Sequence, residues 1–197
     1  MKKLIAFVLL LSSVSAMAQT TQDMSREVTT VAQSIADELK SATGADAAFV
    51  AAGFLKDNLT GKDLSQSLQF SADEVSVVKL TGKQVKDALT RSISLYPSPN
   101  PAFLHVAGMD IKFNKDADAD NRIASVSIGG SPLNPSANYR IAMPSSLARG
   151  GLGYFTVWSK ASIEKNDAPK SLESLLKGKT PNDSAPRWHG STDPFTA

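Results

Sequence analysis

The chain has 197 residues, 42% of them hydrophobic, with 21 Lys and Arg against 19 Asp and Glu and a formal net charge of +2. That near-balance, without a cluster of Lys or Arg, excludes a nucleic-acid partner, because proteins that track phosphates need concentrated cations to displace counterions. The length suits one domain with a sizeable core, and since the chain has no cysteine that core must hold the fold without disulfides.

In chain order, Lys2 and Lys3 precede an apolar run, Leu4 to Leu11, that is too short to remain as a membrane span, and Ala16-Met17-Ala18 offers an A-x-A cleavage signal. Residues 1–18 are therefore expected to be a signal peptide. The mature chain would start near Gln19 in the periplasm or outside the cell, with no membrane span left after cleavage. Loss of Lys2 and Lys3 makes acidic and basic residues equal in number.

Val28, Val31, Ala32, Ile35, Ala36 and Leu39 recur at helical spacing and predict an amphipathic helix over Ser25 to Ser41, stopped by Gly44. Ala47 to Ala52 reads as a short strand buried on both faces, and Val75 to Leu80 as a second strand. Thr81-Gly-Lys-Gln84 is a capping box that starts a helix with Val85, Ala88, Leu89 and Ile93 on one side. Pro97, Pro99 and Pro101 lie beyond its end. Phe103 to Phe113 and Arg122 to Ile128 read as strands joined by a polar turn, and Gly129-Gly130 as a tight hairpin toward a strand over Tyr139 to Met143. A last short helix spans Ser171 to Lys177.

Residues 179–197 are polar and aperiodic and are expected to be a tail. Within it, Arg187-Trp188-His189 either anchors a partner or folds back on the domain. Helices and strands alternate without a regular repeat, so the expected fold is α+β, a single domain over residues 19–178 with flanking helices around a mixed β-sheet. The expected core includes Ile35, Leu39, Phe49, Val77, Leu80, Leu89, Val106, Ile111, Val126, Ile128 and Ile141.

Four blocks stand in a telling order: Thr43-Gly-Ala-Asp46, Leu80-Thr-Gly82, Phe103-Leu-His-Val-Ala-Gly108 and Gly150-Gly-Leu-Gly-Tyr154. Together they resemble the C-terminal domain of the bacterial 5'-nucleotidase and UDP-sugar hydrolase family, over about Val28 to Leu176. The resemblance implies the fold of that domain and an association with nucleotide catabolism. In two-domain members this half holds the nucleotide while an N-terminal metallophosphatase half hydrolyses it.

The residues that the resemblance assigns to nucleotide binding are mostly replaced. Where the family reads Asn-x-Gly-Gly-Ile-Arg, this chain has Ala51-Ala-Gly-Phe54-Leu-Lys56. The bidentate arginine fork is lost and only a point charge is left. Of the two rings that sandwich the base, Phe70 matches the first, but Ser146 stands in the second position, at a loss of about 1 to 3 kcal/mol of stacking. Leu152 replaces the aspartate that accepts the ribose hydroxyls, and a leucine accepts nothing. Arg149, just before the glycine loop, either holds an anion or makes local contacts. Phe54, Phe70, Leu152, Tyr154 and Phe155 either line a more apolar pocket or are simply core. The expected ligand-contacting set is thus Phe54, Lys56, Phe70, Ser146, Arg149, Leu152 and Tyr154.

The chain has only two histidines, His105 and His189, too few for the two-metal centre that such hydrolysis uses. Asp116-Ala-Asp118-Ala-Asp120 imitates the start of a calcium loop, but Ser127 stands where the closing Glu belongs, so a solvated turn is expected. No cofactor, metal or catalytic residue is expected. The expected role is an exported, non-catalytic binding or accessory module. The alternatives are the substrate-binding half of a split hydrolase, docking on a separate metallophosphatase chain, and an envelope scaffold.

Overall fold

The computed structural model describes residues 29–57, 59, 61–164 and 170–192. The signal peptide expected over residues 1–18 and the start of the first predicted helix lie outside them. Helix α1 (Thr30–Thr43) begins where the Thr29 hydroxyl accepts the Ala32 N–H at 3.3 Å. It stops at Gly44 in the left-handed region, as the sequence implies. Val31, Ala32, Ile35, Ala36 and Leu39 are buried, and α1 packs across three strands, β1 (Ala47–Ala51), β3 (Leu104–Ala107) and β7 (Asn138–Pro144).

Strand β1 is buried along its whole length because it is an inner strand, parallel to β7 on one side and antiparallel to β3 on the other. β7 also pairs antiparallel with β2 (Val75–Thr81), completing a four-stranded sheet in the order β2-β7-β1-β3. Along β2, Val75 and Val78 are buried and Val77 is only partly covered, which corrects the expectation for Val77.

Helix α2 (Gly82–Ser92) has its capping box formed from both sides: the Thr81 hydroxyl accepts the Gln84 N–H at 3.2 Å, and Oε1 of Gln84 accepts the Thr81 N–H at 2.9 Å. Its face of Val85, Ala88 and Leu89 is buried. Leu89→Ala is expected to lower the unfolding free energy by about 2 to 5 kcal/mol, read from urea denaturation. A loss under about half a kcal/mol, within the range of surface substitutions, would mean that this face is not core.

The single strand expected over Phe103 to Phe113 is divided at Gly108. β3 belongs to the first sheet, and β4 (Met109–Asn114) starts a second one. Gly108 has φ +72°, and a Cβ there would lie 2.5 Å from the Asp46 carbonyl oxygen, so only glycine lets the chain cross between sheets. The second sheet runs β6-β5-β4-β8, with β5 (Ile123–Ile128) and β6 (Ser131–Pro132) as a hairpin and β8 (Trp188–Ser191) parallel to β4. The α+β class holds, with the mixed sheet present as two.

Strand β8 comes from the segment read as a polar tail. Trp188 is 8% exposed, its ring lies against Phe103 and Phe113, and its Nε1 donates to the Leu104 carbonyl at 2.9 Å. Arg187 pairs with Asp37 at 2.7 Å and donates to the Val106 carbonyl. Upstream, Gln33 donates to Ser184 and Ala185, and Asn182 donates to the Ser34 hydroxyl. Gln33 and Ser34, polar on a helix, are buried beneath this segment. Of the two readings of Arg187-Trp188-His189, the one in which it folds back on the domain is observed. The short helices α3 (Ser145–Ala148) and α4 (Leu172–Leu176) are the remaining α-helices among the described residues.

Candidate functional site

β1 ends at Ala51 and turns through a short 3-10 segment, Ala52–Phe54, anchored where the Gly53 N–H donates to the Pro101 carbonyl at 2.8 Å. The chain then pairs with a second segment: Phe54 accepts the Gln69 N–H, and the Lys56 N–H donates to Ser67. This pairing sets Phe70 beside Phe54, with ring centroids 5.9 Å apart in an edge-on arrangement. Phe54 is buried, whereas Phe70 is 51% exposed. Lys56 is exposed at the margin.

Phe70 opens a turn in which the Asp73 N–H donates to its carbonyl at 3.1 Å. The Asp73 carboxylate is a junction. One oxygen accepts the Ser146 N–H at 3.0 Å; the other accepts the Glu74 N–H at 2.9 Å and lies 3.8 Å from a terminal guanidinium nitrogen of Arg149. That same Arg149 nitrogen donates to the Ser146 hydroxyl at 3.3 Å. Arg149 therefore folds back over Ser146, its side chain 52% exposed.

The loop after α3 supplies the floor. Gly150 and Gly153 have positive φ, and so does Leu152, at φ +54° and ψ +25°. A leucine in that region is uncommon. Its δ carbons lie 3.3 Å from where a Cβ on Gly53 would be, so Leu152 covers the turn after β1. From behind, Arg91 donates to the Leu152 carbonyl at 2.7 Å and sits 5.4 Å over the Tyr154 ring. Gly153, at φ +83°, holds a conformation that favours glycine, and a Cβ there would also displace the Arg91 guanidinium.

Tyr154 is fully buried. Its hydroxyl donates to the Ala102 carbonyl at 2.6 Å, and its ring stacks on Trp158 at 4.8 Å. Burial pushes the phenol far above its ordinary range, so it stays protonated. Tyr154 thus corrects the expected contact set, because it supports the loop and cannot reach a ligand. Ala51 is likewise fully buried. The fold brings Phe54, Phe70, Ser146, Arg149 and Leu152 around one region, with Lys56 near its edge. Phe155, 73% exposed, is not core.

Two participants escaped the sequence reading, Asp73 and Arg91. Asp73 stands three residues after Phe70, a spacing that signals only a turn, and its partners Ser146 and Arg149 are more than seventy residues away. Arg91 lies off the buried stripe of α2, where a long cation in the last helical turn reads as a solvated residue.

The histidines are separated: His105 is buried on β3 with its ring edge-on to Phe103, and His189 on β8 lies 3.7 Å from Asp110. Among the described residues no group of three or more His, Cys, Asp or Glu is placed to hold a metal ion. None of their helices is long and apolar enough to cross a membrane.

Two further grooves lie elsewhere. One of about 570 Å³ runs between the start of α2 and the β5–β6 hairpin. The first three N–H groups of α2 are already taken by Ala137, Pro135 and the Thr81 hydroxyl, leaving none for an anion. The other, about 350 Å³, is lined by residues including Arg91, Ser94, Asp120 and Thr156.

The family described as 5'-nucleotidase, C-terminal domain, matches residues 12–160. The trifunctional nucleotide phosphoesterase protein YfkN of Bacillus subtilis is 30% identical over 143 residues, covering 67% of this chain and 10% of that protein. A 5'-nucleotidase of Vibrio cholerae is 31% identical over 114 residues, 56% of this chain and 20% of that one. In three dimensions the chain is similar to the 5'-nucleotidase precursor from Thermus thermophilus, with a TM-score of 0.64 at 20% identity, covering 87% of this chain and 37% of the other. The chain therefore spans a tenth to about a third of the length of these relatives.

Proposed function

The chain belongs to the family of the 5'-nucleotidase C-terminal domain, and from that premise we propose that it is an exported, non-catalytic binding module whose ligand is not an ordinary nucleotide. The observation that carries this is the joint replacement at Ala51, Lys56, Ser146 and Leu152. A nucleotide needs a guanidinium fork for its acidic group, a carboxylate for its ribose and two faces for its base. These positions supply a single exposed ammonium, an alkyl group and a hydroxyl. Export rests on the basic, apolar and small-residue pattern of residues 1–18.

Titration of the purified protein with AMP, adenosine and UDP-glucose in a calorimeter is expected to show no tight, saturable binding. Micromolar affinity for any of them overturns the reading. No hydrolysis of AMP is expected with added Mn, Zn or Co. Metal-dependent activity that co-purifies with the protein and is lost on mutation of the region around Phe70 contradicts the non-catalytic assignment.

A second reading, an accessory half that docks on a separate metallophosphatase chain, is supported by Leu95 and Phe155. Both are large, apolar and exposed, and each is next in sequence to a residue, Ser94 or Thr156, that lines the smaller groove. Large exposed apolar side chains are what a protein interface covers. Mixing with an exported metallophosphatase is then expected to raise nucleotide hydrolysis, and unchanged activity counts against it.

A further inference from the structure

We propose that the groove of about 570 Å³ between the start of α2 and the β5–β6 hairpin is a second binding site, for a small amphipathic monoanion of the aliphatic carboxylate type. It shares no lining residue with the region around Phe70, so it goes beyond the reading above and does not depend on it. Its volume lies within the roughly 300 to 1,000 Å³ of small-molecule sites, which are mostly apolar with a few placed polar groups. The walls are fastened to one another. Gly82, where α2 begins, packs so closely on the next turn that a Cβ there would run into the Asn134 carbonyl. The Gly82 and Lys83 N–H groups donate to the Ala137 and Pro135 carbonyls, and the Leu133 N–H donates to the Val126 carbonyl. Helix, turn and strand are thereby held in place before any ligand arrives, which lowers the ordering cost of binding.

The floor is apolar because β5 pairs irregularly with β4. Phe113 stands opposite Ile123 and Lys112 opposite Ser125, which leaves Ala124 without a cross-strand partner. In an even strand Ile123 and Val126, three residues apart, would face opposite sides. With the extra residue between them both line the groove, as bulges re-aim side chains. Pro132, Leu133 and Pro135 extend the apolar surface from the other wall, and the two prolines stiffen it.

The helical rim sets the charge of the ligand. Lys83 and Lys86 line the groove from α2 at a spacing that makes them neighbours on its surface. Lys83 is held by Asp87 at 2.7 Å, whereas Lys86 makes no ion pair with a described residue. Asp87 lines the same groove, so two cations and one carboxylate leave a single net positive charge. That suits one negative charge and disfavours a dianion such as a phosphate monoester. The first N–H groups of α2 are spent on carbonyls and on the Thr81 hydroxyl, so the anion is held by ammonium groups and not by the helix end. An ammonium is a point charge on a flexible stem and offers no fork, which is enough for a lone carboxylate whose specificity comes from the apolar body behind it.

The test is calorimetric titration of the full protein with octanoate, octanol and octylamine, which share a tail and differ in head charge, and with acetate, which has the head alone. Octanoate is expected to saturate one site, with octanol and octylamine roughly tenfold weaker or more and acetate without measurable binding. Lys86 is exposed, so Lys86→Glu should fold as the parent does, and it is expected to reverse the order of octanoate and octylamine. Leu133→Asp puts a charge on the partly covered floor and is expected to abolish octanoate binding, with a thermal melt to show that the variant is folded. Phe70→Ala is expected to bind octanoate as the parent does. No saturable octanoate binding by the parent, octanol binding as tightly as octanoate, or Lys86→Glu leaving octanoate binding unchanged overturns the proposal. So does loss of octanoate binding in Phe70→Ala, which moves the ligand to the other region; none of these results bears on whether that region takes nucleotides.

Discussion

Ala51→Asn, Lys56→Arg, Ser146→Phe and Leu152→Asp, introduced together, are expected to take the protein from no measurable AMP binding to a micromolar dissociation constant. That is a gain of roughly a thousandfold over millimolar association, about 4 kcal/mol. Lys56→Arg supplies a fork for the acidic end, Ser146→Phe a second face for the base and Leu152→Asp a carboxylate for the ribose, while Ala51→Asn returns the asparagine of the family pattern. The loop should accept Leu152→Asp readily, because aspartate tolerates the left-handed conformation of that position better than leucine. Ala51 is fully buried, so an asparagine there must find a partner, and the triple variant without Ala51→Asn serves as the companion that keeps the fold. Phe70→Ala in either background is expected to abolish the new binding. Restored proteins that fold normally and still ignore AMP would falsify the placement of the nucleotide site on these positions, leaving the family relationship to describe the fold alone.

Trp188→Ala is expected to cost about 3 to 5 kcal/mol, a large part of the roughly 5 to 15 kcal/mol that a domain has in total. The indole fills the space against Phe103 and Phe113 and binds the Leu104 carbonyl. Its removal leaves a cavity and a carbonyl without that donor at the place where β8 joins β4. Urea denaturation should show a lower midpoint with the slope unchanged. A loss below about 1 kcal/mol would mean that β8 contributes little to holding the second sheet.

Much of the local structure was legible in the sequence. The capping box at Thr81, the stop at Gly44 and the helical stripes of α1 and α2 act within a turn or two, and all of them are present. The division of the strand at Gly108 was less so. A glycine between apolar residues reads equally as a weak point in one strand or a crossing between two sheets, and only the Asp46 carbonyl pressed against it decides between them. The aperiodicity of the C-terminal segment was real, yet four residues suffice for β8 when β4 offers an open edge.

The same division runs through the candidate site. The sequence by itself determined the family, the longer helices and the side-chain chemistry at Lys56, Ser146 and Leu152, because residue identity alone says which of them can fork, stack or accept. Tertiary structure decided what stands in their place. Asp73 meets Ser146 and Arg149 across more than seventy residues, Arg91 reaches the Leu152 carbonyl across sixty-one, and Tyr154 turns inward to Ala102 across fifty-two. Hydrogen bonds of that span leave no periodicity in the chain, since they are made by whichever polar groups the packed sheets bring within about 3 Å.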